Sequence, residues 1–330
     1  MPLQYKEGLA FKLVGVWERW DACWYAHIAT TGYQGDGSTA FFPLFPALER
    51  VVALFGPHVV IAGMIVDLVA AVLALWGIHR IVEDDHGRDV ARRAILLLSV
   101  FPASLFLVAP FSEAILLAAS VWSLDFARRG GWSAAAACAF LAALARPVGV
   151  VLVLPLLWTA WRRRAEPEER VAAAVAVVAA PAAFGAFVLY TQRVVGVSMF
   201  AASALWTGSA YHPPWDVLAA ALDWTRRRGD PLEALELALL VGATALLIVG
   251  AARLRADLSL YAAPQIAFLW LRILPTPLTS TSRYLLVVFP AFVVLALLLE
   301  RRRALWSYAI VSLLLLAAIA NELVIGDFVG

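Results

Sequence analysis

Blocks of about 14 to 22 apolar residues, set between short charged or proline- and glycine-containing segments, recur from residue 57 to the end of this 330-residue chain. That pattern excludes most folds. A hydrocarbon core satisfies backbone polar groups only in helices or closed barrels. A membrane barrel needs apolar and polar residues in alternation, which these blocks lack. Charged residues make up 15% of the sequence, against roughly a quarter in soluble domains. The chain therefore reads as an all-α polytopic membrane protein. Spans are expected at about 59–79, 92–109, 113–127, 131–145, 148–162, 171–190, 232–251, 257–273, 284–299 and 304–320. Several fall short of the ~20 residues that cross a bilayer comfortably. The 113–162 region is accordingly expected to contain helices that enter and stop partway, giving about 8 to 10 transmembrane or re-entrant helices in a single domain over 1–330.

Basic residues set an expected orientation. If Asp21 lies outside the cytoplasm, the loops alternate so that Arg80, Arg88, Arg92 and Arg93, then Arg128 and Arg129, then Arg162–Arg164 and Arg170, then Arg253 and Arg255, and finally Arg301–Arg303 all lie inside. This is the distribution that the positive-inside rule describes. Arg226–Arg228 oppose it, unless WDVLAAALDWTRRR forms an amphipathic helix within a long external segment, 191–231, that also carries MFAASALWTGSAYHPPW. The formal charge of +2 sits at helix junctions and forms no nucleic-acid surface. Cys23 and Cys138 match no metal or redox spacing and read as packing residues. The opening MPLQYKEGLAFKLVGVW has no continuous apolar core of the kind a secretory signal needs.

Within this apolar chain, WERWDACWYAHIATTGY at 17–33 crowds Glu18, Arg19 and Asp21 among aromatic residues. On a helix Trp17, Trp20, Asp21, Trp24 and Ile28 share one side, Tyr25 follows Asp21 by a turn, and Glu18 and Arg19 point away. Such a helix would lie along the membrane surface with its indoles at headgroup depth. It is either an interfacial belt with a solvated Asp–Arg pair, or a mount for a base whose partial desolvation makes it a better proton acceptor. The following GYQGDGSTAFFPLFPALER places Pro43 and Pro46 in an apolar run, which should bend or re-enter and so form a cleft over 15–56. In FPASLFLVAPFSEAILLAAS, Glu113 follows Ser112 at a helix start, where the helix dipole alone would favour it. Its apolar surroundings also suit a paired or functional acid. Arg146 in LAALARPVGVVL and Arg283 in TPLTSTSRYLLVVFP are isolated cations that either snorkel or hold a phosphate by their planar fork.

Together these segments resemble the PIG-V mannosyltransferases. RWDACWYAHIATTGY with AFFPLFPALER is similar to the paired signature of that family, FPASLFLVAPFSEAILL to its proline-then-Ser-Glu segment, LARPVGV to its Arg-containing break, and SRYLLVVFPAF to its C-terminal Arg-Tyr segment. The Ala/Arg-rich composition is of a bacterial type. The resemblance implies a GT-C glycosyltransferase with an interfacial catalytic helix, acting on the external face of a cell membrane. The donor would be a polyprenyl-phosphate sugar, mannose in the family, and the acceptor a lipid or glycan. It carries the essential acid over to Asp21, the Ser-Glu pair to Ser112 and Glu113, and the C-terminal arginine to Arg283. Arg19, Trp20, Tyr25, Arg146, Trp206 and Tyr284 are further candidates for substrate binding. Because the leaving group is already an anionic phosphate, the base half of an inverting two-carboxylate mechanism suffices, with Asp21 as the base. No cofactor is expected, and no nucleotide-sugar signature or aspartate-x-aspartate metal motif is present. The rival class is a transporter or lipid flippase, with breaks at Pro147 and Pro155 and an embedded Arg146; the internal repeat usual in such proteins is not found.

Overall fold

The computed structural model describes residues 14–163, 168–207 and 211–325, and the regular elements among them are helices. In chain order they are α1 Asp21–Thr31, α2 Leu44–Ala53, α3 Val59–His86, α4 Arg88–Ser99, α5 Glu113–Arg128, α6 Trp132–Ala145, α7 Val153–Arg163 and α8 Arg170–Tyr190. Then follow α9 Met199–Thr207, α10 Pro214–Arg228, α11 Pro231–Gly250, α12 Ala256–Leu269, α13 Thr281–Leu286, α14 Phe289–Leu298 and α15 Arg302–Ile325. Among the described residues four helices are long and apolar enough to cross a membrane: α3, α8 with its continuation to Val195, α11 and α15. Helices α6 and α14 are apolar but shorter. The all-α, multi-spanning class read from the apolar blocks is thus the observed one.

Proline and capping chemistry explain where the expected spans change. The 92–109 stretch is not one helix. α4 stops at Ser99 ahead of Pro102, and a 3-10 turn at Ser104–Leu107 precedes Pro110. The 284–299 stretch divides into α13 and α14 because Pro290 stands in the first turn of α14, where its missing N–H costs nothing. Pro43 and Pro46 do the same for α2: they start a helix instead of bending one. The expected helix over 17–33 is shortened as well. Gly15–Trp17 is a 3-10 turn and α1 begins at Asp21, so Trp17, Glu18, Arg19 and Trp20 share no helical face with Asp21. The amphipathic helix expected within 191–231 forms as α10.

The chain divides into two compact units. The first comprises residues up to Gly77, Leu105–Ser203 and a short stretch from Ala320; the second comprises Ile78–Ser104 and Ala204–Ile319. In the first, α6 lies against α5 and α8 through buried alanines, including Ala135, Ala139, Ala142, Ala176, Ala180 and Ala183. Small residues let helix backbones approach closely where apolar burial gives no net drive between lipid-solvated helices. In the second, α4 packs on α14, with Phe101 edge-on to Phe292 at 5.1 Å and the Arg93 Nε–H donating to the Ala296 carbonyl at 3.0 Å.

Candidate active site

Asp21 is the first residue of α1, placed there by an unusual backbone turn. Trp20 takes φ 54° and ψ −125°, a left-handed conformation that costs a non-glycine residue roughly 1–3 kcal/mol and persists only where the surroundings impose it. The half-buried Asp21 carboxylate so occupies the first turn, where the helix dipole favours negative charge. Aromatic contacts fix the helix on the segment that follows. Trp24 stacks on Phe41 at 5.5 Å, and Tyr25 stands edge-on to Phe41 at 5.4 Å and to Phe45 at 4.8 Å. Arg19 is half-buried, and its carbonyl accepts the Ala22 N–H at 3.0 Å.

Tyr25 ties α1 to the helices of the first unit. Its buried hydroxyl is hydrogen-bonded to Ser112 Oγ at 2.8 Å. Ser112 stands immediately before α5, and Arg146 Nη1 donates to the same Oγ at 3.4 Å. Arg146 also forms a short ion pair with Glu113, the first residue of α5. The break expected around Arg146 is present: α6 ends at Ala145, Arg146 is extended, and Pro147 opens a 3-10 segment to Leu152. Burial pushes the Tyr25 phenol well above its ordinary value, so it stays a neutral link. Asp21 and the Arg146–Glu113 pair both lie within electrostatic reach of that phenol. The structure thus gathers Asp21, Tyr25, Ser112, Glu113 and Arg146 in one unit and gives Arg146 a carboxylate partner.

Arg283 and Tyr284 belong to the second unit, in α13. Arg283 is buried, with Cζ 5.5 Å from the Tyr284 ring. Arg272 lies over the same ring at 5.2 Å and over Phe268 at 5.1 Å. Trp206 falls within α9, with its side chain outside the described residues.

Among the described residues six carboxylates not singled out in the sequence are buried: Glu49, Asp67, Asp125, Glu233, Glu236 and Asp257. Glu49 of α2 and Asp67 of α3 lie in the first unit; Asp67 Oδ2 accepts the Phe111 N–H at 2.9 Å, one residue from Ser112. Gly63 leaves the space that Glu49 occupies, for a Cβ there would collide with Glu49 Oε1 and approach Pro110 to 2.9 Å. Glu233 and Glu236 of α11 lie in the second unit and bond to the turn before Arg283. The available signal was a lone carboxylate within an apolar helix, which is costly unless it has a task. Among the described residues no group of three or more His, Cys, Asp or Glu side chains could hold a metal ion.

A family model described as Mannosyltransferase (PIG-V) matches residues 6–157, the stretch that contains Asp21, Tyr25, Ser112, Glu113 and Arg146. Among solved structures the chain is similar to the crystal structure of ArnT from Cupriavidus metallidurans bound to undecaprenyl phosphate. Identity is 16% and the TM-score is 0.55, over 89% of this chain. The fold is GT-C-like. The chain spans 57% of the length of that ArnT structure. No curated protein matches the sequence.

Proposed function

We propose that the chain is a membrane glycosyltransferase that takes a mannose-like sugar from polyprenyl phosphate and passes it to a lipid or glycan acceptor at the external face. The observation that carries this reading is the mounting of Asp21. A carboxylate begins an aromatic-clad helix, and that helix is anchored through Tyr25 to a buried network whose ion pair is already formed. Such anchoring holds a base in one position, as general base catalysis demands. The ArnT structure was determined with undecaprenyl phosphate bound, which supports a polyprenyl phosphate as the carrier here.

The reaction is a direct displacement with inversion. As the acceptor hydroxyl oxygen forms its bond to the anomeric carbon, the bond from that carbon to the phosphate oxygen breaks. The bonding electrons leave with polyprenyl phosphate, and the hydroxyl proton passes to Asp21. Because the departing phosphate is already an anion, no acid has to protonate it. Arg283 compensates its growing charge with a planar, bidentate donor. Arg146, matched by Glu113, acts in holding α1 in place. The test supplies the protein in nanodiscs with undecaprenyl-phosphate mannose and a membrane lipid extract, and measures release of undecaprenyl phosphate. Transfer that only a nucleotide sugar supports would refute the donor class; transfer from a different lipid-linked sugar would revise the sugar alone.

A further inference from the structure

Two carboxylates inside the apolar helix α11, Glu233 and Glu236, stand one turn apart on one face. Buried ionisable groups in a membrane span are expensive and are found paired or at functional sites. Both reach the same short turn. Glu233 accepts the Leu278 N–H with its two oxygens, at 3.0 and 3.2 Å. Glu236 accepts the Ser282 hydroxyl at 2.7 Å and also the Ser282 N–H. Between these anchors Ser280 adopts φ 69° and ψ 8°, a left-handed conformation that a non-glycine residue keeps only where its surroundings hold it. Arg283 follows the second anchor directly, and its charge lies within electrostatic reach of Glu236.

We infer that Glu233 and Glu236 are positioning residues: they clamp the Leu278–Ser282 turn and so aim the Arg283 guanidinium before the donor phosphate arrives. The inference rests on the proposed role of Arg283 as the phosphate ligand. Three donors of one five-residue turn, the Leu278 N–H and the Ser282 N–H and hydroxyl, are taken up by these two carboxylates. A site holds its geometry when such bonds lock the backbone behind the functional side chain. The clamp acts at the phosphate, in donor binding and in phosphate departure, and leaves the proton acceptor untouched.

The experiment compares wild type with Glu236→Ala, Glu236→Gln, Glu233→Ala and the double variant Glu236→Ala/Ser282→Ala in nanodiscs. It measures thermal stability, affinity for undecaprenyl phosphate without a sugar, and kcat and KM for transfer. Each alanine variant should weaken undecaprenyl phosphate binding by about tenfold or more and lower kcat/KM by at least as much, with kcat falling as well because the Arg283 charge is also needed as the phosphate departs. Glu236→Gln keeps one carbonyl acceptor for Ser282 and should fall between. The double variant should lose little beyond Glu236→Ala, since the two groups act through one contact. If the alanine variants fail to fold, the Gln variant carries the comparison on the same readouts. Wild-type affinity and kcat/KM in folded variants whose thermal stability alone has fallen would overturn the clamp. Failure of the wild type itself to bind undecaprenyl phosphate would instead refute the proposed function on which the clamp depends.

Discussion

Trp20 sets the register of the residue that follows it. An ordinary helical Trp20 would bury Asp21 one position deeper in the first turn; the left-handed backbone starts the helix at Asp21 itself. Replacing Asp21 with Asn keeps the volume and much of the hydrogen bonding but removes the proton acceptor. Turnover in single-turnover assays should fall by at least ~10²-fold with donor affinity unchanged, the scale for losing a positioned base. Glu18→Gln should cost less than ~10-fold, because Glu18 stands outside α1. Wild-type turnover in Asp21→Asn would remove it as the base. Cys23, two residues on, reports whether α1 is docked. Its Sγ–H donates to the Glu18 carbonyl at 2.9 Å, and burial, reinforced by the Glu18 charge, pushes the thiol up to about 11. At pH 8 the reactive thiolate is then only about one part in a thousand. In a Cys138→Ala background, iodoacetamide labelling should be slow at pH 8 and rise about tenfold per pH unit until it levels near pH 11. Fast labelling at pH 7.5 would show that α1 is not packed as described.

At the scale of elements, the break after α6 positions Arg146, and it depends on Gly149. A Cβ at Gly149 would come within 2.6 Å of the Ala143 nitrogen, against backbone that cannot swing aside as a side chain can. Gly149→Ala should therefore destabilise the protein by about 1–3 kcal/mol, the range for overpacking, and lower the thermal midpoint. Gly185 in α8 supplies the contrast, since an added Cβ there meets nothing within 4 Å. Gly185→Ala should be neutral or stabilising by up to about 1 kcal/mol, the gain in helix propensity. Equal midpoints for the two variants would contradict the close packing of the 147–152 segment on α6. The Arg146 break was legible in the sequence because Arg-Pro inside an apolar run changes local chemistry. Helix α5 starting at Glu113 and the amphipathic α10 were legible for similar local reasons. The clamp from Glu233 and Glu236 was not: carboxylates in an apolar helix signal a buried task, but their partners lie some 45 residues away along the chain, and no local feature names them. The backbone of Trp20 was hidden too: aromatic periodicity argued for continuing the helix, and nothing in the sequence marks a positive φ at that residue.

Across the molecule as a whole, the arrangement of charge bears on which way the chain faces. Within the first unit, α5 runs from Glu113 to Arg128, 16 residues and so about 24 Å at 1.5 Å per residue. At its start stand Tyr25, Ser112 and the Glu113–Arg146 pair; at its far end Arg163 donates to the Arg128 carbonyl at 2.6 Å. The carboxylate network and the basic cluster therefore occupy opposite ends of the same helices, separated by most of a hydrocarbon core. The positive-inside rule assigns the arginine end to the cytoplasm, which would leave Asp21 facing outward. With both native cysteines replaced by alanine, Gly35→Cys and Arg162→Cys should label from opposite sides with a membrane-impermeant maleimide, Gly35→Cys from outside in intact cells and Arg162→Cys only after permeabilisation. Gly35 and Arg162 are exposed, so accessibility reads membrane side and not burial. Labelling of both from the same side would break the link between the two ends of α5. The reverse pattern, Arg162→Cys from outside and Gly35→Cys only after permeabilisation, would keep the fold but move the transfer reaction to the cytoplasmic face.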